Sequence, residues 1–172
     1  GDILMSSTAI DPVFEQIKDE YGFVPNILRE LGYNSPAVLK LYLSGNQAMA
    51  KSSLSEKESH MIDLALSTAN ECDYCTSAHA AFLKGLGAAE SDIRALKKGS
   101  LPSEPKLRNL ISAARLIFEM KGHLTGRDIE RLQKLGIDKT KLYEIIGLIA
   151  LKTVTTYVNH ISHIPIDPQF GP

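Results

Sequence analysis

Residues 55–87 read SEKESHMIDLALSTANECDYCTSAHAAFLKGLG, and two helices with a short break between them account for the whole run. Ser55 followed three residues later by Glu58 has the form of a capping box, in which each residue satisfies a backbone N–H of the other's turn. Behind it, Met61, Ile62, Leu64, Ala65 and Leu66 supply an apolar helix. That helix breaks near Asn70, and a second begins close to Cys72 or Asp73 and ends at Gly87. Residues three, four and seven apart share one helical face, so Cys72, Cys75 and His79 align their two sulfurs and one imidazole.

The same helical punctuation extends in both directions. Asp11-Pro12 opens a short helix carrying Val13, Phe14, Ile17 and Tyr21, which leaves residues 1–11 as an N-terminal extension. Pro25 and Ser35-Pro36 open two more helices, with proline at a first helical position where its missing N–H costs nothing. Glu90 to Lys98 is short, and Leu101 to Pro105 is the clearest linker, dividing the chain into two halves. Beyond it come Leu107 to Lys121, a helix capped by Thr125 and Asp128, and a last helix from Asp138 to about His160. Val154, Thr155 and Thr156 favour strand, but they belong to that last helical run and stay with it. The expectation is a single all-α domain over residues 1–172, a bundle of about seven to eight helices. Its parts are N-terminal helices over 12–54, the cysteine-bearing helices over 55–99, C-terminal helices over 105–161 and a tail over 162–172. A faint echo, Leu86-Gly87 with Ile93 and Leu96 against Leu135-Gly136 with Leu142 and Ile145, runs at a constant offset of 49, as a repeated helix–turn–helix would.

Composition narrows the function classes. Nineteen Lys and Arg against 20 Asp and Glu give a formal net charge of −1 over 172 residues, which leaves no one-signed field to grip nucleic acid or an anionic membrane. There is no Trp and aromatics are 6%, which disfavours base-stacking platforms. No apolar run reaches membrane-spanning length, so a soluble cytoplasmic protein is expected. The last helix is apolar nearly all round and calls for cover on both sides, which one chain of 18.8 kDa struggles to give; self-association is the expected remedy.

The only two cysteines are Cys72 and Cys75, and their spacing does not close a loop as a secreted disulfide framework does. A thiol at a helix start, or beside a histidine cation, has its pKa lowered from about 8.5 to roughly 3.5–7.5, and the thiolate is the nucleophile. A second cysteine one turn away then closes a disulfide with it. Two other readings stand beside this one. Cysteines are often buried as small hydrophobes, and Ala78, Phe82 and Leu86 form a core stripe here. Cys72, Cys75 and His79 with His60 also make a Cys2His2 set of the kind that holds structural zinc.

Ser55-Glu56-Lys57-Glu58 leading into an apolar helix, then Asn70-x-Cys72-x-Tyr74-Cys75-x-x-x-His79, resembles the carboxymuconolactone decarboxylase superfamily, in its alkylhydroperoxidase D-like, peroxidase-related branch. Tyr21-Gly22-Phe23-Val24-Pro25-Asn26, Asn159 and Ile166-Asp167 are similar to the ends of that branch, so the resemblance covers roughly residues 12–168. It implies an alkylhydroperoxidase D-like helical bundle that forms homo-oligomers, commonly trimers or hexamers, with a dimer also allowed. It implies thiol-dependent reduction of a hydroperoxide substrate with no cofactor and no metal, the pair being recharged by a dithiol or a thiol-protein reductant. By position Cys75 attacks peroxide, Cys72 resolves, His79 belongs to the proton relay and Tyr74 lines the site. The family's relay glutamate, twelve residues before the first cysteine, is His60 in this chain, with Glu56 one turn earlier to orient it. Histidine accepts and returns protons near neutral pH, so His60 is expected to titrate near an unperturbed value of about 6.5. A redox sensor or disulfide-exchange protein without turnover is the alternative. The family also contains decarboxylases of a lactone acid, which do not depend on paired cysteines, and the pair argues against that branch.

Overall fold

The computed structural model describes residues 2–171. The helices are α1 (Asp2–Tyr21), α2 (Asn26–Asn34), α3 (Pro36–Met49), α4 (Glu56–Ala69), α5 (Asp73–Gly85), α6 (Glu90–Lys97), α7 (Pro105–Met120), α8 (Gly126–Lys134) and α9 (Lys139–Ser162), with a 3-10 turn at Pro168–Phe170. Among the described residues there are thus nine α-helices, where about seven to eight were expected. Very short breaks keep them apart. Ser35 alone separates α2 from α3: it is extended (φ −151°, ψ 92°), as a residue before proline tends to be, and its Oγ caps Val38 N at 3.2 Å. The capping box expected at Ser55 and Glu58 forms, and the cap expected at Thr125 with Asp128 is a second box of the same kind.

The first helix corrects the N-terminal boundary. It does not open at Asp11-Pro12 but at Asp2, with Pro12 inside it. A proline in a helix interior forfeits one backbone bond without necessarily ending the helix. What carries the helix past it is its buried stripe, since Ile10, Phe14 and Ile17 lie at spacings of four and three. The stripe packs on α2, where Gly32 admits the Phe14 ring; a Cβ there would stand 2.7 Å from it.

Buried side chains fall into two clusters. One joins α4 to α6, α7, α8 and α9 through Met61, Ile62, Leu66, Ile93, Ile111, Leu132 and Ile145. The other joins α1, α2 and α3 to the start of α5 and the C-terminal segment through Phe14, Leu28, Leu39, Tyr74, Ile164 and Phe170. Helix α5 belongs to both, with Ala80 and Leu83 in the first and Cys72, Cys75 and Ala78 in the second. The cysteine end of α5 therefore sits where the two clusters meet. The 101–105 loop joins two helices of the same cluster, so it does not divide the core.

The echo at offset 49 has a backbone counterpart. Ala88 N donates to Leu83 O and Ile137 N to Leu132 O, each at 3.0 Å, across Gly87 (φ 76°) and Gly136 (φ 87°). This is one helix-ending turn built twice, and it needs a left-handed residue that only glycine adopts freely. Helix α9 is helical throughout, including Val154 to Thr156. It is covered on one side only: Ile145, Leu148, Thr155 and Asn159 are buried, whereas Tyr143, Ile146, Tyr157 and Ile161 are 66%, 45%, 63% and 79% exposed along the opposite face. No helix of the described residues is long and apolar enough to cross a membrane.

Candidate active site

Helix α4 ends at Asn70, and Glu71 turns the chain with a left-handed φ of 55°. Cys72 follows as the N-cap of α5, its sulfur accepting a hydrogen bond from Cys75 N at 3.3 Å. A disulfide joins Cys72 to Cys75, whose Cα atoms are 5.3 Å apart. Both are buried at the N-terminal end of α5, where the helix dipole and the Cys75 N–H favour negative charge on sulfur when the pair is reduced. Helix α9 braces them from the other side. Thr155 Oγ1 lies 3.8 Å from Cys75 Sγ, and Asn159 Nδ2 lies 3.6 Å from Cys72 Sγ while donating to Asp73 at 3.1 Å. Asn159 Oδ1 in turn accepts from Ile164 N at 3.0 Å, which fixes the amide's orientation.

Cys75 lies on the wall of a cavity of about 40 Å³, room for about three waters. Cys72 sits behind it, buried and off the wall. Tyr21, Tyr42, Tyr74, Phe82 and Phe170 give the cavity an aromatic lining, to which His79, Lys152 and Thr155 add polar groups. Tyr74 is locked in place: its hydroxyl donates to the Asp167 carboxylate and accepts from Ile27 N at 3.3 Å. Asp167 also accepts from Asn26 N at 3.1 Å, so one carboxylate caps α2 and orients the cavity tyrosine. Burial and the Asp167 hydrogen bond both raise the Tyr74 pKa, so it stays a neutral phenol. The C-terminal stretch is thereby part of the site, with Phe170 packed edge-on against Tyr74 and Phe82.

His79 stands one turn after Cys75 on α5 and reaches across to α4. Its Nδ1 is 3.0 Å from His60 Nδ1 and 3.9 Å from Asp63 Oδ2. One imidazole must donate through Nδ1 and the other accept, which gives the two rings complementary tautomers. Burial, aided by the charge of Lys152, holds the His60 pKa down to about 4 and that of His79 well below its usual value. His60 is therefore not the group near 6.5 that its ordinary chemistry implies. Burial pushes Asp63 up instead, to about 6, against the downward pull of Lys152. The carboxyl that titrates near neutrality is Asp63, and its Oδ1 has no hydrogen-bond partner.

The structure thus brings Cys75, His79 and Tyr74 to one cavity, sets Cys72 against Cys75, and links His60 through His79. It does not bring Glu56. That residue is exposed on the first turn of α4, and no hydrogen bond joins it to His60; the carboxylate facing the histidines is Asp63, one turn along on the buried side. Asp63 and Lys152 were missed in the sequence, although each is a lone charge inside an otherwise apolar stretch of its helix. His60, Asp63 and His79 offer ligand atoms within 4.8 Å of one another, a geometry open to a divalent cation, but the Lys152 charge beside them opposes one. The Cys2His2 set has no thiolates to offer while its sulfurs are bonded to each other.

Residues 36–116 match the model of the carboxymuconolactone decarboxylase family. Over that stretch, a little under half of its length, the chain is similar to that family. Its fold is shared with an alkylhydroperoxidase AhpD core, a peroxidase-related protein from Ralstonia eutropha JMP134, at a TM-score of 0.85 and 21% identity, covering 95% of this chain and 87% of that one. A peroxidase-related protein from Silicibacter sp. TM1040 aligns over the same shares, with a TM-score of 0.83 and 21% identity. The debrominase Bmp8, in complex with 2,3,4-tribromopyrrole, has a TM-score of 0.75 and 17% identity over 94% of this chain and 87% of that one. No curated protein gives a significant match. Peroxidase-related proteins and a debrominase share this fold, so the fold alone does not fix the chemistry and the site must decide.

Proposed function

We propose that the protein is a thiol-dependent hydroperoxide reductase whose working groups are Cys75, Cys72 and the His79–His60 pair. The supporting observation is a disulfide with only one sulfur on a cavity wall, one helical turn from a buried neutral histidine. In the reduced protein His79 takes the Cys75 proton, and the thiolate attacks the peroxide oxygen. The O–O bond breaks, the alkoxide leaves as an alcohol with the proton returned from His79, and Cys75 becomes a sulfenic acid. Cys72 then attacks that sulfur; a disulfide forms and hydroxide departs as water with the Cys72 proton. A dithiol or thiol-protein reductant restores both thiols, and a cytoplasmic setting, where such reductants are maintained, suits the cycle. His60 at 3.0 Å and Asp63 at 3.9 Å share the charge that His79 carries between the two proton transfers.

Consumption of tert-butyl hydroperoxide with dithiothreitol tests this reading. Turnover is expected in the wild type and none in Cys75→Ser; a Cys75→Ser variant as active as the wild type overturns it. A homo-oligomer, trimer or hexamer, is proposed to cover the bare face of α9, where Tyr143, Ile146, Tyr157 and Ile161 are exposed. Light scattering should give a mass several times 18.8 kDa, and a monomer at micromolar concentration contradicts it.

A further inference from the structure

Lys152 lies in the middle of α9 and is 3% exposed, on the wall of the same aromatic cavity as Cys75. A buried ammonium is costly unless something answers its charge. Among the described residues nothing does so at close range. No carboxylate lies within 4.0 Å of it, no hydrogen-bond acceptor engages it, and the cation–π pair that does form is Arg29 over Phe14. Asp63 is the carboxyl of its surroundings, too far for an ion pair and held partly protonated near pH 6 by burial. The histidines facing Lys152 are neutral and bring no negative charge. The proposed peroxide chemistry uses Cys75, Cys72, His79 and His60 and leaves this ammonium without a task.

We propose that Lys152 is the anion-recognition residue of the cavity, and that the substrate is an organic molecule with a small apolar body and one acidic group. Tyr21, Ile27, Leu28, Phe82 and Phe170 would take the apolar part, while Lys152 supplies the one fixed charge on the wall. A cavity of about 40 Å³ limits the part that enters to a few heavy atoms. Lys152 and Thr155 stand three residues apart on one face of α9, and Thr155 lies against Cys75. A substrate anchored at Lys152 is therefore held beside the sulfur. The inference rests on the cavity's being the substrate site of the proposed reductase, and selects hydroperoxides bearing a carboxylate over neutral ones.

The test reads binding rather than turnover, on the oxidised wild-type protein with its disulfide closed and no peroxide present. Isobutyrate and isobutyramide have the same shape and differ in charge. By calorimetric titration isobutyrate should bind about tenfold or more tightly than isobutyramide, the worth of a hydrogen bond to a charged group. In Lys152→Met that preference should vanish. Equal affinities in the wild type overturn the proposal with no variant needed, as does a carboxylate preference that survives Lys152→Met. If Lys152→Met does not fold, Lys152→Gln replaces it under the same criterion. Because no redox step enters the measurement, failure of the peroxidase reading would leave its outcome intact.

Discussion

Replacing Asp63 by asparagine should make the protein far more sensitive to acid, by an amount that follows from the buried cluster. His60 is held from 6.5 down to about 4, so the folded state binds its proton less readily than the unfolded chain does. Stability from that group is full above pH 6.5 and is lost as pH falls towards 4, by roughly 3 kcal/mol at 1.36 kcal/mol per unit. Asp63 runs the other way. Raised from 3.8 to about 6, it binds its proton more readily when folded, so the protein gains about 3 kcal/mol from it as pH falls through 6 towards 3.8. The two contributions nearly cancel over the same window, leaving the loss from His79, whose pKa is also depressed. A carboxamide in place of the Asp63 carboxyl cannot take up that proton. Urea unfolding followed by helical circular dichroism at pH 7, 5.5 and 4.5 should show the drop in stability deepening by about 2 kcal/mol in Asp63→Asn relative to wild type, the part of the full effect that falls above pH 4.5. Parallel pH profiles for the two proteins would refute the reasoning, because Asp63 would then not be a buried carboxyl titrating above its ordinary range.

Other consequences are as direct. Peroxide turnover should carry an acidic limb near pH 6 that belongs to Asp63, so it should disappear in Asp63→Asn and persist in His60→Gln, while His60→Gln itself lowers the rate by roughly 10²–10⁴-fold if His60 moves protons. Tyr74→Phe leaves Ile27 N without its side-chain acceptor and Asp167 with Asn26 N but not the phenol as donor, and should cost about 1–3 kcal/mol in thermal or urea unfolding. Glu71→Gly should raise the melting temperature, because φ at 55° costs a residue with a side chain about 1–2 kcal/mol that glycine does not bear; a lowered melting temperature would show that the Glu71 side chain matters more than its backbone.

Much of this was legible in local sequence, and the reasons are physical. Ser55 with Glu58 and Thr125 with Asp128 announce helix starts because the satisfaction of N–H groups there is local. The Cys72, Cys75 and His79 alignment follows from helical spacing alone. The start of α1 did not follow, because Pro12 is the conspicuous local signal and the stripe that overrides it, Ile10 with Phe14 and Ile17, gains its meaning only against α2. Glu56 was a reasonable partner for His60 by spacing, yet one turn in the other direction placed Asp63 on the buried side. Which side faces α5 is decided by tertiary packing. Lys152 lies 73 positions beyond His79 in the chain, and no periodicity within either helix connects them. The same holds for Asp167, which joins Asn26 and Tyr74 only through the folded chain.

The central claim is that Cys75 is the sulfur that meets peroxide and Cys72 the one that resolves it. It is tested most directly by a single turnover of the reduced protein with one equivalent of hydroperoxide, read by intact mass and peptide mapping. The account predicts one disulfide and one alcohol per chain in the wild type, a trappable sulfenic acid on Cys75 in Cys72→Ser, and no sulfur oxidation in Cys75→Ser on the same timescale. A sulfenic acid formed on Cys72 in Cys75→Ser at the wild-type rate, or reduced thiols left untouched in the wild type, would contradict it.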